Sequence, residues 1–140
     1  RFVARVEAAL TDILADVDPD VVRGALRATD TPVPIELSAW EWRLVASAAY
    51  GPGLADVHPG PFRRLAVRHL VDPVDPDALE PDQERLLVMK PLQGRDWGDV
   101  ATALGFPSRR TCMRALGEAY RPLVDAYGTA AAHAERDRYR

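Results

Sequence analysis

Apolar residues recur at helical spacing along almost this entire chain, and prolines or glycines interrupt that spacing at short intervals. Residues 2–16 follow the spacing, and Asp18-Pro19 ends that segment and opens the next, because Pro fits the first turn of a helix. Pro91 and Pro122 are expected to kink or end their helices. No segment has the alternation of a strand, so the sequence predicts an all-α fold of about seven helices, at 2–16, 19–28, 39–49, 61–71, 80–93, 97–104 and 109–127.

Residues with capping roles mark the expected helix ends. Ser38 precedes Glu41 by three residues, which is a capping-box pattern, and Ser108 is the expected N-cap of the last long helix. Gly105 favours the left-handed backbone conformation that ends a helix. Helix, short helix, glycine turn and longer helix over 81–127 give the outline of a helix-turn-helix-like unit.

The segment from Asp72 to Asp77 contains two Asp-Pro steps and is the strongest candidate for a boundary. We expect an N-terminal helical subdomain over 1–76, a basic helix-turn-helix-like subdomain over 77–128 and a frayed tail over 129–140. The first residue is arginine rather than methionine, and we expect the chain to be part of a longer protein.

No residue pattern in this chain indicates a catalytic or metal site. His58, His69 and His133 lie in different segments without a second ligand at metal spacing, and the single Cys112 excludes an internal disulfide. No glycine-rich phosphate loop is present, and no apolar run is long enough to cross a bilayer. We therefore expect no catalytic residue, no metal, no cofactor in this chain and no membrane contact.

Charge is distributed unevenly along the chain. The formal net charge is −3, but residues 1–84 contain 8 Arg and 15 acidic residues, whereas residues 85–128 contain 6 Arg, one Lys and 4 acidic residues. A basic segment on an acidic body favours contact with a polyanion through the second half. A solvated helix face is the alternative interpretation.

On a helical wheel, the last long helix separates into an apolar side and a basic side. Arg110, Arg114 and Arg121 fall together opposite the apolar residues, as a stripe that matches phosphate groups. Gly117 falls within this stripe and is expected to let a sugar-phosphate backbone approach closely. The alternative is that Gly117 packs against another helix.

Aromatic residues add candidates for contact with bases or with a neighbouring domain. Trp97, Tyr120 and Tyr127 can stack on bases, although core packing is the favoured role of Trp97. Trp40 and Trp42 point to different faces of one helix. One of these two is therefore expected to be less buried and available to a neighbouring domain.

Several short motifs resemble one known family. They are Lys90-Pro91-Leu92-Gln93-Gly94, Trp97, Val100-Ala101, Leu104-Gly105, Ser108-Arg109-Arg110 and Met113-Arg114, with residues 42–46, 49–53 and 61–65 upstream. Together they resemble the C-terminal tail of the archaeal and bacterial tRNA(Met) cytidine acetyltransferases, which is regarded as a tRNA-binding domain. Pro91 departs from the apolar residue that the family pattern has at that position.

The resemblance implies a large enzyme in which an ATPase module and an acetyltransferase module use acetyl-CoA and ATP to acetylate N4 of cytidine in RNA. Neither module is in this chain, so no catalytic residue is carried over. The resemblance implies a cytoplasmic domain that contacts tRNA, or another structured RNA, and the neighbouring modules. Its basic positions Lys90, Arg95, Arg109, Arg110 and Arg114, with Arg121 from the helical wheel, are the expected RNA-binding residues.

Two other functions fit the residues. A helix-turn-helix DNA-binding module of the sigma-region or small-terminase type would place Arg109, Arg110 and Arg114 in a major groove. A docking domain would support a larger enzyme and touch no nucleic acid.

Overall fold

The computed structural model describes residues 17–29 and 36–128, and these form helices and connecting turns without a strand. The all-α prediction is therefore confirmed. The α-helices are α1 (Pro19–Arg27), α2 (Ala39–Ala46), α3 (Leu54–Val57), α4 (Pro59–Val71), α5 (Pro81–Leu87), α6 (Trp97–Leu104) and α7 (Arg109–Leu123). The helix predicted over 2–16 and the frayed tail predicted over 129–140 lie outside the described residues.

The predicted caps begin and end the helices as expected. The Glu41 backbone N–H donates to the Ser38 hydroxyl oxygen (3.1 Å), and the Ser38 N–H donates to the Glu41 carboxylate (3.0 Å), which closes the capping box of α2. At the start of α7, the Thr111 N–H donates to the Ser108 hydroxyl (3.1 Å). Gly105 ends α6 with a φ of 78°, in the left-handed region.

One helix start and one short helix differ from the prediction. Helix α4 begins at Pro59 rather than Pro61, and both prolines lie in its first turn, where a backbone N–H has no partner within the helix. The sequence does not predict α3, because a single turn is too short to show helical periodicity.

Pro91 and Pro122 disrupt their helices as expected. Pro91 lies within a π segment, and a second π segment follows Pro122. Helix α5 continues into a π segment, Val88–Leu92, that contains Pro91. Helix α7 continues past Pro122 into a second π segment, Val124–Gly128. Proline has no N–H for the α-helical hydrogen bond, so the ordinary helical ladder is interrupted at both places.

One hydrophobic core joins most of the helices. Phe62 and Leu65 of α4, Leu86 of α5, and Leu116 and Tyr120 of α7 are at most 2% exposed. The Tyr120 hydroxyl donates to the Phe62 carbonyl (3.0 Å), so its buried polar atom is satisfied. Because this core contains residues from both sides of position 76, the two predicted subdomains pack against each other, and their separate identity stays a prediction.

A buried polar cluster links α1, α4, α5 and the second π segment. The Val74 N–H donates to the Tyr127 hydroxyl oxygen (3.0 Å). The Tyr127 hydroxyl can then donate its proton to Nδ1 of His69 (3.3 Å), and the Nε2–H of His69 donates to the Glu84 carboxylate (3.2 Å). Arg27 pairs with the same Glu84 carboxylate. Burial, and then the Arg27 charge, lower the pKa of His69 to about 4, so its imidazole is neutral at pH 7.

Candidate nucleic-acid interface

Helix α7 has one face in the core and one face in solvent. Arg110, Arg114 and Arg121 are exposed together, as the helical wheel predicts, and Arg109 is exposed at the start of the helix. We refer to these four residues as the arginine surface. The opposite face is at most 2% exposed and comprises Cys112, Leu116, Ala119, Tyr120 and Leu123.

Two guanidinium groups of the arginine surface have no partner in the described part of the chain. Within residues 17–29 and 36–128, neither Arg110 nor Arg114 has a hydrogen-bond or ion-pair partner. Their Cβ atoms are about 5–6 Å apart, because the residues are separated by one helical turn. The Arg109 side chain is 71% exposed, and its Nη2 lies 3.8 Å from Oδ2 of Asp96, which is a long and solvated contact. These charges are available to an external anion.

Five acidic residues of the first half pair with arginines outside the arginine surface. These pairs are Asp20 with Arg23 and Arg85, Glu41 with Arg64, Asp72 with Arg68, Asp82 with Arg85, and Glu84 with Arg27. No ion pair among the described residues joins an acidic side chain to Arg110, Arg114 or Arg121. Within residues 17–29 and 36–84, the acidic first half therefore does not neutralise this part of the arginine surface.

The start of α7 is electrostatically unfavourable for the helix itself. Arg109 and Arg110 occupy its first two positions, and its first turn contains no acidic residue. Because the N-terminal end of a helix has a positive partial charge, we expect each cation there to cost about 0.3–1 kcal/mol. A bound anion relieves the repulsion between these arginines and the positive end of the helix. The arrangement therefore favours anion binding at the expense of helix stability.

Lys90 and Arg95 lie in intramolecular networks instead. The Lys90 ammonium donates to the Arg95 carbonyl (2.8 Å), lies 3.3 Å from Oδ1 of Asp56 and sits 4.7 Å from the ring centroid of Trp97. The Arg95 guanidinium donates to the Val17 carbonyl (2.7 Å) and to the side-chain oxygen of Gln93 (2.7 Å). Both cations therefore have partners within the protein, and their contact with RNA stays a prediction.

Three similar proteins have been found by comparison with known sequences. The chain is 51% identical over 139 residues to tRNA(Met) cytidine acetyltransferase TmcA of Haloferax volcanii, and 49% identical over 138 residues to that of Haloarcula marismortui. It is 30% identical over 138 residues to that of Nitrosococcus halophilus. The chain is therefore similar to a C-terminal segment of the tRNA(Met) cytidine acetyltransferases.

The matched segment is a small part of these acetyltransferases. The alignments cover 99% of the chain but 18% of the length of each relative. No family model matches the chain. No solved structure matches it significantly.

The prediction that Gly117 lets a sugar-phosphate backbone approach closely is wrong. Gly117 is buried, and a Cβ atom at this position would lie 2.4 Å from the carbonyl oxygen of Ala48. Ala48 belongs to the 3₁₀ turn Ser47–Ala49 that follows α2. The space beside Gly117 is therefore filled by protein backbone rather than left for RNA, which is the packing alternative.

The aromatic residues that the sequence suggests for base stacking are not available. Tyr120 and Tyr127 are 0% and 2% exposed, so their predicted stacking role is wrong. Trp97 packs partly against the core, and its indole N–H donates to Asp56 (2.6 Å), which confirms the favoured interpretation. Trp40 is 53% exposed, whereas Trp42 packs against the core.

Tyr50 is the aromatic residue that sequence reasoning missed. Its side chain is 80% exposed, and its hydroxyl oxygen accepts a hydrogen bond from Nη2 of Arg121 (2.6 Å). The available signal is its position between the 3₁₀ turn and Gly51-Pro52-Gly53, because a residue at the start of a tight turn is commonly left in solvent.

Two other kinds of site are not found in the described part of the chain. No group of three or more His, Cys, Asp or Glu side chains within it is placed to hold a metal ion. None of its helices is long and apolar enough to span a bilayer.

Proposed function

We propose that this domain binds tRNA, or another structured RNA, through the arginine surface and holds it for modules elsewhere in a longer acetyltransferase. The observation that carries the proposal is the exposure of Arg110 and Arg114 on a helix whose other face is buried. Neither guanidinium group has an ion-pair or hydrogen-bond partner among residues 17–29 and 36–128. A rigid helix fixes the spacing of the cations, so little conformational entropy is lost when a phosphate backbone binds.

The chemistry of arginine suits this role. A guanidinium group is planar, is charged at every physiological pH and donates paired hydrogen bonds to phosphate oxygens. Contacts of this kind release counterions, so the affinity falls steeply with salt. They position an RNA without reading its bases, and the shape of the folded RNA then provides most of the selectivity.

The similar proteins support the same proposal. Their name states an activity on cytidine in tRNA(Met), and that activity belongs to proteins more than five times as long as the matched segment. We infer that this chain contributes to acetyl transfer from acetyl-CoA to RNA, with acetyl-CoA and ATP bound by modules outside the described residues. A cytoplasmic location stays a prediction.

The proposal is tested by the binding of labelled tRNA and duplex DNA to the full 140-residue chain across a salt series. The double substitution Arg110→Glu/Arg114→Glu removes two phosphate-binding groups and adds two repulsive charges. We expect at least a tenfold loss of tRNA affinity and a salt slope lower by about 1.4–1.8, since each neutralised phosphate contributes about 0.7–0.9 to the slope.

The matched control is Arg43→Glu, an exposed arginine on α2. If only net charge matters, the control loses about half as much binding free energy as the double variant. Tighter binding of duplex DNA than of tRNA would support the helix-turn-helix DNA-binding function instead. Unchanged binding of both nucleic acids by the double variant would refute the proposal and leave the docking domain as the better interpretation.

A further inference from the structure

We propose that Tyr50 is a stacking platform for an unpaired RNA base at one end of the arginine surface; this inference rests on the function proposed above. The Tyr50 side chain is 80% exposed, more than Val57 (71%) or any other large apolar side chain among the described residues. The ligand class is therefore a single-stranded nucleotide whose neighbouring phosphates lie on the arginines.

The backbone that carries Tyr50 is held in place. The Tyr50 N–H donates to the Ser47 carbonyl (3.0 Å), and the 3₁₀ turn before it packs directly against α7, where Gly117 meets Ala48. A ring that projects from a fixed backbone has few conformations to lose when it binds. The Tyr50 side chain is thus exposed on a turn whose backbone is well packed.

Arg121 connects Tyr50 to the arginine surface. It donates to the Tyr50 hydroxyl (2.6 Å), and its guanidinium carbon lies 5.5 Å from the centroid of the ring. This cation–π contact orients the ring, yet the exposure of the side chain shows that much of the ring remains open. Arg114 lies two turns away along α7, a rise of about 10 Å, so phosphate contacts and the open ring share one surface.

The recognition chemistry favours unpaired RNA. In a double-stranded RNA helix the bases are stacked on each other, and the deep major groove is too narrow for a protein side chain to enter. An unpaired base can leave the stack and lie on a tyrosine ring, and such stacking tolerates every base because each has a π face. The platform therefore selects strand state rather than sequence.

The test compares two labelled probes that bind the full chain, namely a short oligoadenylate and a blunt RNA duplex of the same length. Tyr50→Ala is expected to weaken oligoadenylate binding by about 5- to 100-fold and to change duplex binding by less than about twofold. Tyr50→Phe keeps the ring and is expected to bind like the wild type. The salt slope is expected to stay unchanged in both variants, because every phosphate-binding arginine is still present.

Three results would overturn the platform. They are equal losses on both probes, no loss with Tyr50→Ala, and an equal loss with Tyr50→Phe, which would assign the effect to the hydrogen bond with Arg121. The double variant Arg110→Glu/Arg114→Glu separates the two proposals. If it loses both probes while Tyr50→Ala binds normally, only the platform fails; if it binds both normally, the proposed function fails as well.

Discussion

The close contact between α7 and the 3₁₀ turn gives a sharp prediction for Gly117→Ala. The new Cβ atom would lie 2.4 Å from the carbonyl oxygen of Ala48, 2.9 Å from its carbonyl carbon and 3.0 Å from the Cα of Ala49. All three are backbone atoms, so no side-chain rotation relieves the overlap. The helix and the turn must move apart.

The expected magnitude is a balance of two effects. Alanine is favoured over glycine in a helix interior by about 1 kcal/mol. Overpacking costs about 1–3 kcal/mol, and the upper end applies where backbone must shift. We therefore expect Gly117→Ala to lower the free energy of unfolding by about 2 kcal/mol.

The assay is urea denaturation of the full chain followed by circular dichroism, with Gly24→Ala as the matched control. Gly24 also lies inside a helix, α1, but a Cβ atom there would meet nothing within 4 Å. The control is therefore expected to raise the free energy of unfolding by up to about 1 kcal/mol. Opposite signs for two identical substitutions would show that packing, and not helix propensity, decides at Gly117.

A different result would refute the packing explanation. If Gly117→Ala is as stable as the wild type or more stable, the backbone contact does not constrain this position.

Three further substitutions test other features. Arg110→Glu places an anion at the positive end of α7, so it is expected to raise the free energy of unfolding by about 0.5–1 kcal/mol while weakening RNA binding; a less stable variant would contradict this. Ser38→Ala is expected to cost about 1 kcal/mol in urea denaturation, whereas Ser38→Asn keeps a capping acceptor and is expected to cost a few tenths. The free energy of unfolding is expected to fall on the order of 2 kcal/mol from pH 7 to pH 5, because His69 has a pKa near 6.5 in the unfolded chain and about 4 in the folded protein. The variant His69→Gln should lack most of this loss, and an equal loss in that variant would refute the role of His69.

Local signals in the sequence are sufficient for most of the fold. The capping box at Ser38, the cap at Ser108 and the left-handed Gly105 depend on residues within a few positions of each other, and the structure has all three. The exposed side of α7 is also predictable, since a single helix fixes which arginines share a face.

Contacts between distant segments explain what the sequence does not show. The helical wheel places Gly117 on the exposed arginine side of α7, but the 3₁₀ turn after α2 covers it. Lys90 looks like a free cation in the sequence, but α3 brings Asp56 beside it. Tyr50 stays exposed because the same packing that buries Gly117 ends just before it.

The two π segments also constrain the number of residues in the chain. Removing one residue from Val88–Leu92 or Val124–Gly128 would restore ordinary helical spacing and rotate everything downstream by roughly 100°. In the second segment that rotation would carry Tyr127 away from His69 and undo the buried polar cluster. Both segments are therefore expected to tolerate insertions and deletions poorly.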